Sequence, residues 1–302
     1  MNSRRLTGCG TALVTPFTQS GEIDERSLRS FVDWQIASGV HFVVPCGSTG
    51  EAATMTVEEH RRVVQITVEQ TAGRVPVVAG AASNDTKKAV ALSREMEAAG
   101  ATHLLHASPM YNKPPQRGIV AHFRAIADAV LTPIVVYNVP GRTGSNIEAA
   151  TTLELAEHQN IVAVKEASGN LSQIGEIIRH RPARFSVLSG DDPLTLQVMA
   201  DGGDGVISVT SNAAPQLVAR LTELAAAGDF AGAREAHHQL AEWTVAAFVE
   251  PNPIPVKAAM AMMGLLEENF RLPLVPIQEQ SRTRIREVIA ELGLLESVHA
   301  SA

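Results

Sequence analysis

Eight short apolar runs, each followed by a helix-like pattern, recur along the chain and limit its fold more than any other feature. They span residues 11–14, 41–44, 77–79, 103–105, 133–136, 161–164, 185–188 and 205–208, and their starts lie roughly 20 to 35 residues apart. The segments between them carry helix signals. Asp24 stands as a cap before Leu28, Phe31 and Val32, with Gly39 as the stop, and Thr56-Val57-Glu58-Glu59 has capping-box spacing. Helices are also expected over 85–99, closed by Gly100, and over 116–130. Eight such units predict an α/β fold of the (β/α)8 TIM-barrel type, which needs about 250 residues. A doubly wound sheet is the rival, but no GxGxxG follows the first run. Beyond Leu221 the pattern is helical only, over 229–249, 255–263 and 278–295. The expected division is a barrel with the active site over 1–226 and a C-terminal helical extension over 227–302.

The sixth run ends unlike the others. Ile161-Val162-Ala163-Val164 reads as a strand buried on both faces, and it stops at Lys165-Glu166, with Ser168-Gly169 as the loop. A cation ending such a strand is costly to desolvate. The plain structural reading is a lysine that snorkels or pairs with Glu166. The other strand ends argue against it. They read Thr15-Pro16, Gly47-Ser48-Thr49-Gly50-Glu51, Pro109-Met110-Tyr111-Asn112, Tyr137-Asn138, Gly190-Asp191-Asp192 and Ser208 to Thr210. In a barrel these ends form the catalytic face, and both tyrosines of the chain, Tyr111 and Tyr137, fall on it. Either alone would pass for a rim residue.

A buried lysine whose pKa falls to about 7–8 attacks carbonyls and forms a protonated imine, an electron sink for carbanion chemistry. Tyr137, Ser48 and Tyr111 offer hydroxyls for proton transfer. Arg142 has the planar fork suited to a carboxylate, and Gly47-Ser48-Thr49-Gly50 could cradle an anion. A phosphate loop is the competing reading of that segment, but the GxxxxGK[ST] spacing is missing. Cys46 beside it lacks a nucleophile's partners and reads as barrel-wall packing.

Composition enters by exclusion. A net charge of −7 gives no basic face for nucleic acid, and the apolar stretch 258–263 is too short to span a bilayer. No apolar core follows the two N-terminal arginines, so no signal peptide is expected. Cys9 and Cys46 form no CxxC pair, which suits the cytoplasm. The ten histidines, His237-His238 among them, show no ligand spacing, so neither metal nor other cofactor is expected.

Four segments in order, Gly47-Ser48-Thr49-Gly50-Glu51, 137–144 (Tyr-Asn-Val-Pro-Gly-Arg-Thr-Gly), 164–169 (Val-Lys-Glu-Ala-Ser-Gly) and 252–257 (Asn-Pro-Ile-Pro-Val-Lys), resemble the dihydrodipicolinate synthase family of pyruvate-dependent class I aldolases. N-acetylneuraminate lyase is a relative. The resemblance spans nearly the whole chain. It implies that Lys165 forms the Schiff base with pyruvate and that Tyr137 transfers protons. Ser48 and Tyr111 would complete a hydroxyl relay, with Tyr111 reaching in from a neighbouring subunit. Thr49 and the backbone of Ile207 would hold pyruvate, with Gly190 also on the substrate side, and Arg142 would meet the carboxylate of aspartate semialdehyde. A homotetramer, a dimer of dimers, is implied as well. Ser48 departs from the threonine usual in the synthases and matches the lyases, but it keeps the hydroxyl.

Three functions compete. The first is the synthase, condensing pyruvate with L-aspartate 4-semialdehyde on the route to lysine and diaminopimelate. The second is an aldolase cleaving a 2-keto acid such as a sialic acid, a 2-keto-3-deoxy sugar acid or 4-hydroxy-2-oxoglutarate. Arg142 favours the synthase, because a polyol chain wants hydroxyl partners. The third, a non-catalytic 2-keto-acid sensor, should have lost the lysine or the tyrosine, and both are present. The resemblance also bears on lysine inhibition. Lysine-sensitive synthases bind lysine at a subunit interface with a glutamate, histidines and a tyrosine. Here Lys88, Val57 and Met110 stand at the glutamate, one histidine and the tyrosine, with His60 and Asn84 retained. Weak inhibition or none is expected.

Overall fold

The computed structural model describes residues 5–295. Eight strands run β1 Gly8–Ala12, β2 Phe42–Val44, β3 Val78–Gly80, β4 His103–Ala107, β5 Ile134–Asn138, β6 Ile161–Glu166, β7 Ser186–Ser189 and β8 Gly205–Ser208. Every pairing is parallel, in the order β2-β1-β8-β7-β6-β5-β4-β3. A parallel bridge between Val43 and Val77 joins the two ends, and the Val43 and Gly80 amides donate to Pro76 and Pro45 carbonyls at 3.0 and 2.9 Å. The sheet therefore closes on itself, and the fold is a TIM barrel.

The first strand differs from the run at 11–14. It starts at Gly8 because small residues are needed where strands crowd. A Cβ at Gly10 would come within 2.0 Å of the Phe42 ring, and Gly10 is the register partner of Phe42. Glycine's poor strand propensity yields here to tertiary packing. Local helix signals fare better. The Asp24 side chain caps the helix Glu25–Ala37, and Thr56 with Glu59 forms the reciprocal capping box of Val57–Thr71.

The core has two parts. Leu6, Phe42, Val44, Val78, Leu105, Val135 and Ile207 fill the barrel, and a larger shell lies between strands and helices. The extension is continuous with that shell. Its helices are Phe230–Ala246, Ile254–Met262 and Glu279–Glu291, and residues 296–302 of the expected extension lie outside the described part. Trp243 is fully buried and donates its indole N–H to the Thr210 carbonyl at 3.0 Å. The segment 252–257 thereby lies across the catalytic end of the barrel, where its side chains meet the loop after β2.

Candidate active site

Strand register brings the two central side chains together. Tyr137 on β5 is the register partner of Lys165 on β6, so both point into the barrel at its C-terminal end. The Lys165 ammonium lies 4.3 Å from the centre of the Tyr137 ring. Both residues are buried, at 5% and 8% exposure. Burial is the main influence on the lysine, pulling its pKa down to about 8. Asp192 and Asp191 oppose this fall, and Arg142 adds to it. Burial also pushes the Tyr137 phenol up to about 12, Arg142 lowering it and Asp191 raising it. At neutral pH the tyrosine is an O–H donor, and about a tenth of the lysine is the neutral amine.

A narrow cavity of about 80 Å³ opens over this pair. Its walls include Ser48, Thr49, Arg142, Lys165, Gly190 and Asp191. Each wall has a local cause. Arg142 sits on the one-turn helix Pro140–Thr143 directly after β5. Gly190 donates its amide to the Glu166 carbonyl at 2.7 Å, and a Cβ there would lie 3.1 Å from Lys165 Cε and 2.7 Å from the Ala167 methyl. Only glycine leaves the lysine room. Asp192 ties the loop after β7 to the end of β8, accepting from Ser208 and Thr210 hydroxyls at 2.5 and 2.6 Å and from the Val209 amide at 3.0 Å. Glu166 points away from the cavity. It accepts from Asn138, the Ser168 amide and Gln173, and burial pushes its carboxyl up. Pairing between Glu166 and Lys165 is thus replaced by an amide cage.

The loop after β2 is pinned from the extension. Asn252 Nδ2 donates to Thr49 Oγ1 at 2.9 Å, and the Asn252 carbonyl faces Arg142 Nη2 at 3.5 Å. Glu51, held at a φ of +57°, pairs with Lys257 at 2.7 Å, both side chains fully buried. Lys257 also donates to the Thr15 and Asn269 carbonyls at 3.1 and 2.6 Å, and its ammonium lies 4.7 Å from the Phe17 ring centre. Burial pulls the Lys257 ammonium down in pKa, and Glu51 opposes the fall. The sequence marked 252–257 only as part of a resemblance. Its partners lie 203 and 206 residues away, and no local signal points to them.

Other expected residues fall differently. Ile207 is fully buried in the barrel interior on β8, outside the cavity wall. Tyr111 follows β4 at the same end of the barrel, but its side chain is 89% exposed and does not reach the cavity of its own chain. Ser48 and Tyr137 line both this cavity and a second one of about 270 Å³ beside it, where Met110, Val57 and His60 also lie. Cys46 is buried with its thiol pushed up by desolvation, so it is packing. Among the described residues no group of three or more His, Cys, Asp or Glu side chains is placed to hold a metal ion, and no helix is long and apolar enough to cross a membrane.

A TIM barrel whose catalytic end holds a desolvated lysine against a tyrosine has the architecture of an enzyme, and that pair suits imine-forming chemistry. Comparison with known proteins narrows this further. Residues 5–292 match the Dihydrodipicolinate synthetase family, and the chain belongs to that family. A relative from Koribacter versatilis named 4-hydroxy-tetrahydrodipicolinate synthase is 51% identical over 294 residues, covering 97% of this chain and 98% of the relative. The crystal structure of dihydrodipicolinate synthase from Aquifex aeolicus superposes with a TM-score of 0.94 at 42% identity, over 96% of this chain and 99% of that one. The chloride-inhibited Acinetobacter baumannii synthase, solved in complex with pyruvate, gives 0.94 at 38% identity, over 96% of this chain and all of that one.

Proposed function

We propose that the chain condenses pyruvate with L-aspartate 4-semialdehyde to give 4-hydroxy-tetrahydrodipicolinate, a step toward lysine and diaminopimelate. The observation that carries this reading is the lowered Lys165 amine beside Tyr137 in a cavity that Arg142 also lines. The relative named as this synthase is alike over nearly its whole length, and pyruvate occupies a similar synthase.

The neutral Lys165 amine attacks C2 of pyruvate. Tyr137 gives its proton to the departing hydroxyl, water leaves, and the imine forms. The Tyr137 phenolate takes a C3 proton to make the enamine, whose C3 attacks the aldehyde carbon of the semialdehyde, and Tyr137 returns that proton to the new alkoxide. The amino group of the condensed chain then attacks the imine carbon, closing the ring and releasing Lys165 as the amine. Thr49, fixed by Asn252, is the hydroxyl that holds the pyruvate carboxylate, with Gly190 and the Ile207 backbone alongside. Arg142 takes the carboxylate of the semialdehyde, and Ser48 carries protons from Tyr137 outward.

The active form is a homotetramer, a dimer of dimers, in the cytoplasm, in which Tyr111 of one subunit completes the relay of the next. Tyr111 and Val57 are both exposed, and Val57 lines the cavity that Met110, next to Tyr111 in the chain, also lines; exposed large apolar side chains of this kind support an interface. A coupled assay with pyruvate and aspartate semialdehyde, run beside sialic acid cleavage, tests the reading. Turnover of the first and none of the second is expected, and the reverse result would overturn it.

A further inference from the structure

We infer that Asp191 is a specificity-determining residue, whose carboxylate receives the α-ammonium of the amino-aldehyde substrate. The inference deepens the synthase reading and rests on it. Asp191 lies just past β7 and lines the same cavity as Arg142, Lys165 and Tyr137. It is half-buried, and it enters none of the ion pairs of 4.0 Å or less among the described residues. Asp192, next in the chain, shows the contrast. Its carboxylate accepts from two hydroxyls and an amide, which accounts for it as structure. Asp191 has no comparable set of side-chain donors. Burial pushes its carboxyl up, Lys165 lowering it, Asp192 raising it and the Gly169 amide, its backbone donor, lowering it. A carboxylate kept out of water with no cation in contact is unfavourable, all the more once Lys165 is tied up with pyruvate, and an incoming cation relieves that cost.

The backbone under this carboxylate is fixed. The Asp191 carbonyl accepts from the Ser189 hydroxyl at 2.8 Å and the Leu194 amide at 3.1 Å. The side chain is therefore presented from a rigid base before substrate arrives. The cavity carries one cation at Arg142 and one anion at Asp191 besides the reacting lysine, and both act on Lys165 and on Tyr137. Two opposite charges lining one cavity fit a zwitterion. An amino acid bearing an aldehyde places its carboxylate and ammonium on one carbon, two bonds from the carbon that reacts. A sugar-derived aldehyde has no ammonium to offer.

An alternative role for Asp191 is to hold up the charge of Lys165, and two ligands separate the two roles. Succinic semialdehyde has the carboxylate and aldehyde but no amino group. In Asp191→Asn the KM for aspartate semialdehyde should rise about tenfold to a hundredfold, the range for a lost charge-assisted hydrogen bond. The inhibition constant of succinic semialdehyde should stay within about twofold, and the borohydride-trapped pyruvate adduct should still form. An equal change for both aldehydes, or a fall in kcat with KM unchanged, overturns the inference. Asp191→Ser, smaller and uncharged, must show the same split, which keeps the test open if the asparagine variant misfolds. A wild-type enzyme that does not condense aspartate semialdehyde overturns the synthase reading, and this inference with it.

Discussion

At the residue scale the site is a matter of desolvation. A lysine near its ordinary pKa of about 10.4 is almost wholly charged at neutral pH, and burial at the end of β6 brings Lys165 to about 8. Trapping of pyruvate by borohydride should therefore speed up about tenfold per pH unit below 8 and level off above it. The three-carbon adduct should sit on the peptide containing Lys165, and a flat profile or another site of attachment would contradict the mechanism. Tyr137 and Arg142 should fail differently. Tyr137→Phe removes a proton transfer and should lower turnover by about 10²–10⁴. Arg142→Ala should mainly raise the KM for the semialdehyde while the pyruvate adduct persists, as steady-state kinetics beside adduct mass would show.

At the element scale the loop after β2 depends on a helix far away in the chain. Lys257 on Ile254–Met262 neutralises Glu51 where neither side chain meets water. Removing one partner of such a pair strands the other charge, which costs about 3–5 kcal/mol. Lys257→Met should lower stability by that much in urea unfolding, and the double variant with Glu51→Leu should recover part of it. An unchanged midpoint in the single variant would mean that Glu51 finds another partner. Arg271, which donates its amide to Glu51 at 3.3 Å and its guanidinium to Glu59, is the neighbour to watch.

At the scale of the whole molecule, the surface around Tyr111 bears on regulation by the end product. His60 Nε2 is engaged with the Gly80 carbonyl at 2.7 Å, and Asn84 donates to the Met110 carbonyl at 3.1 Å. Lys88 is exposed, and Met110 and Val57 give the adjoining cavity an apolar wall. By the family resemblance Lys88 stands where lysine-sensitive synthases place a glutamate, and an ammonium there would turn attraction into repulsion. At about 4 Å that is about 1 kcal/mol each way in water and several times more at an interface, so a loss of over tenfold in affinity is expected. Initial rates with added lysine should show little or no inhibition, and half-inhibition below about 1 mM would overturn this.

Features legible from residue order were local or periodic. The eightfold alternation set the barrel, because strand and helix periods depend on neighbouring residues. The Asp24 cap and the Thr56–Glu59 box were legible for the same reason. Lys165 stood out because a cation at the end of an apolar strand is costly wherever the strand goes. Other features needed the closed barrel. Register alone sets Tyr137 beside Lys165, and the His41 and Phe42 rings explain the glycines at 8 and 10 of the first strand. The hold of Asn252 on Thr49 and of Lys257 on Glu51 spans some two hundred residues. No short-range pattern encodes such contacts, because they exist only once closure of the sheet and packing of the extension bring distant segments to one end.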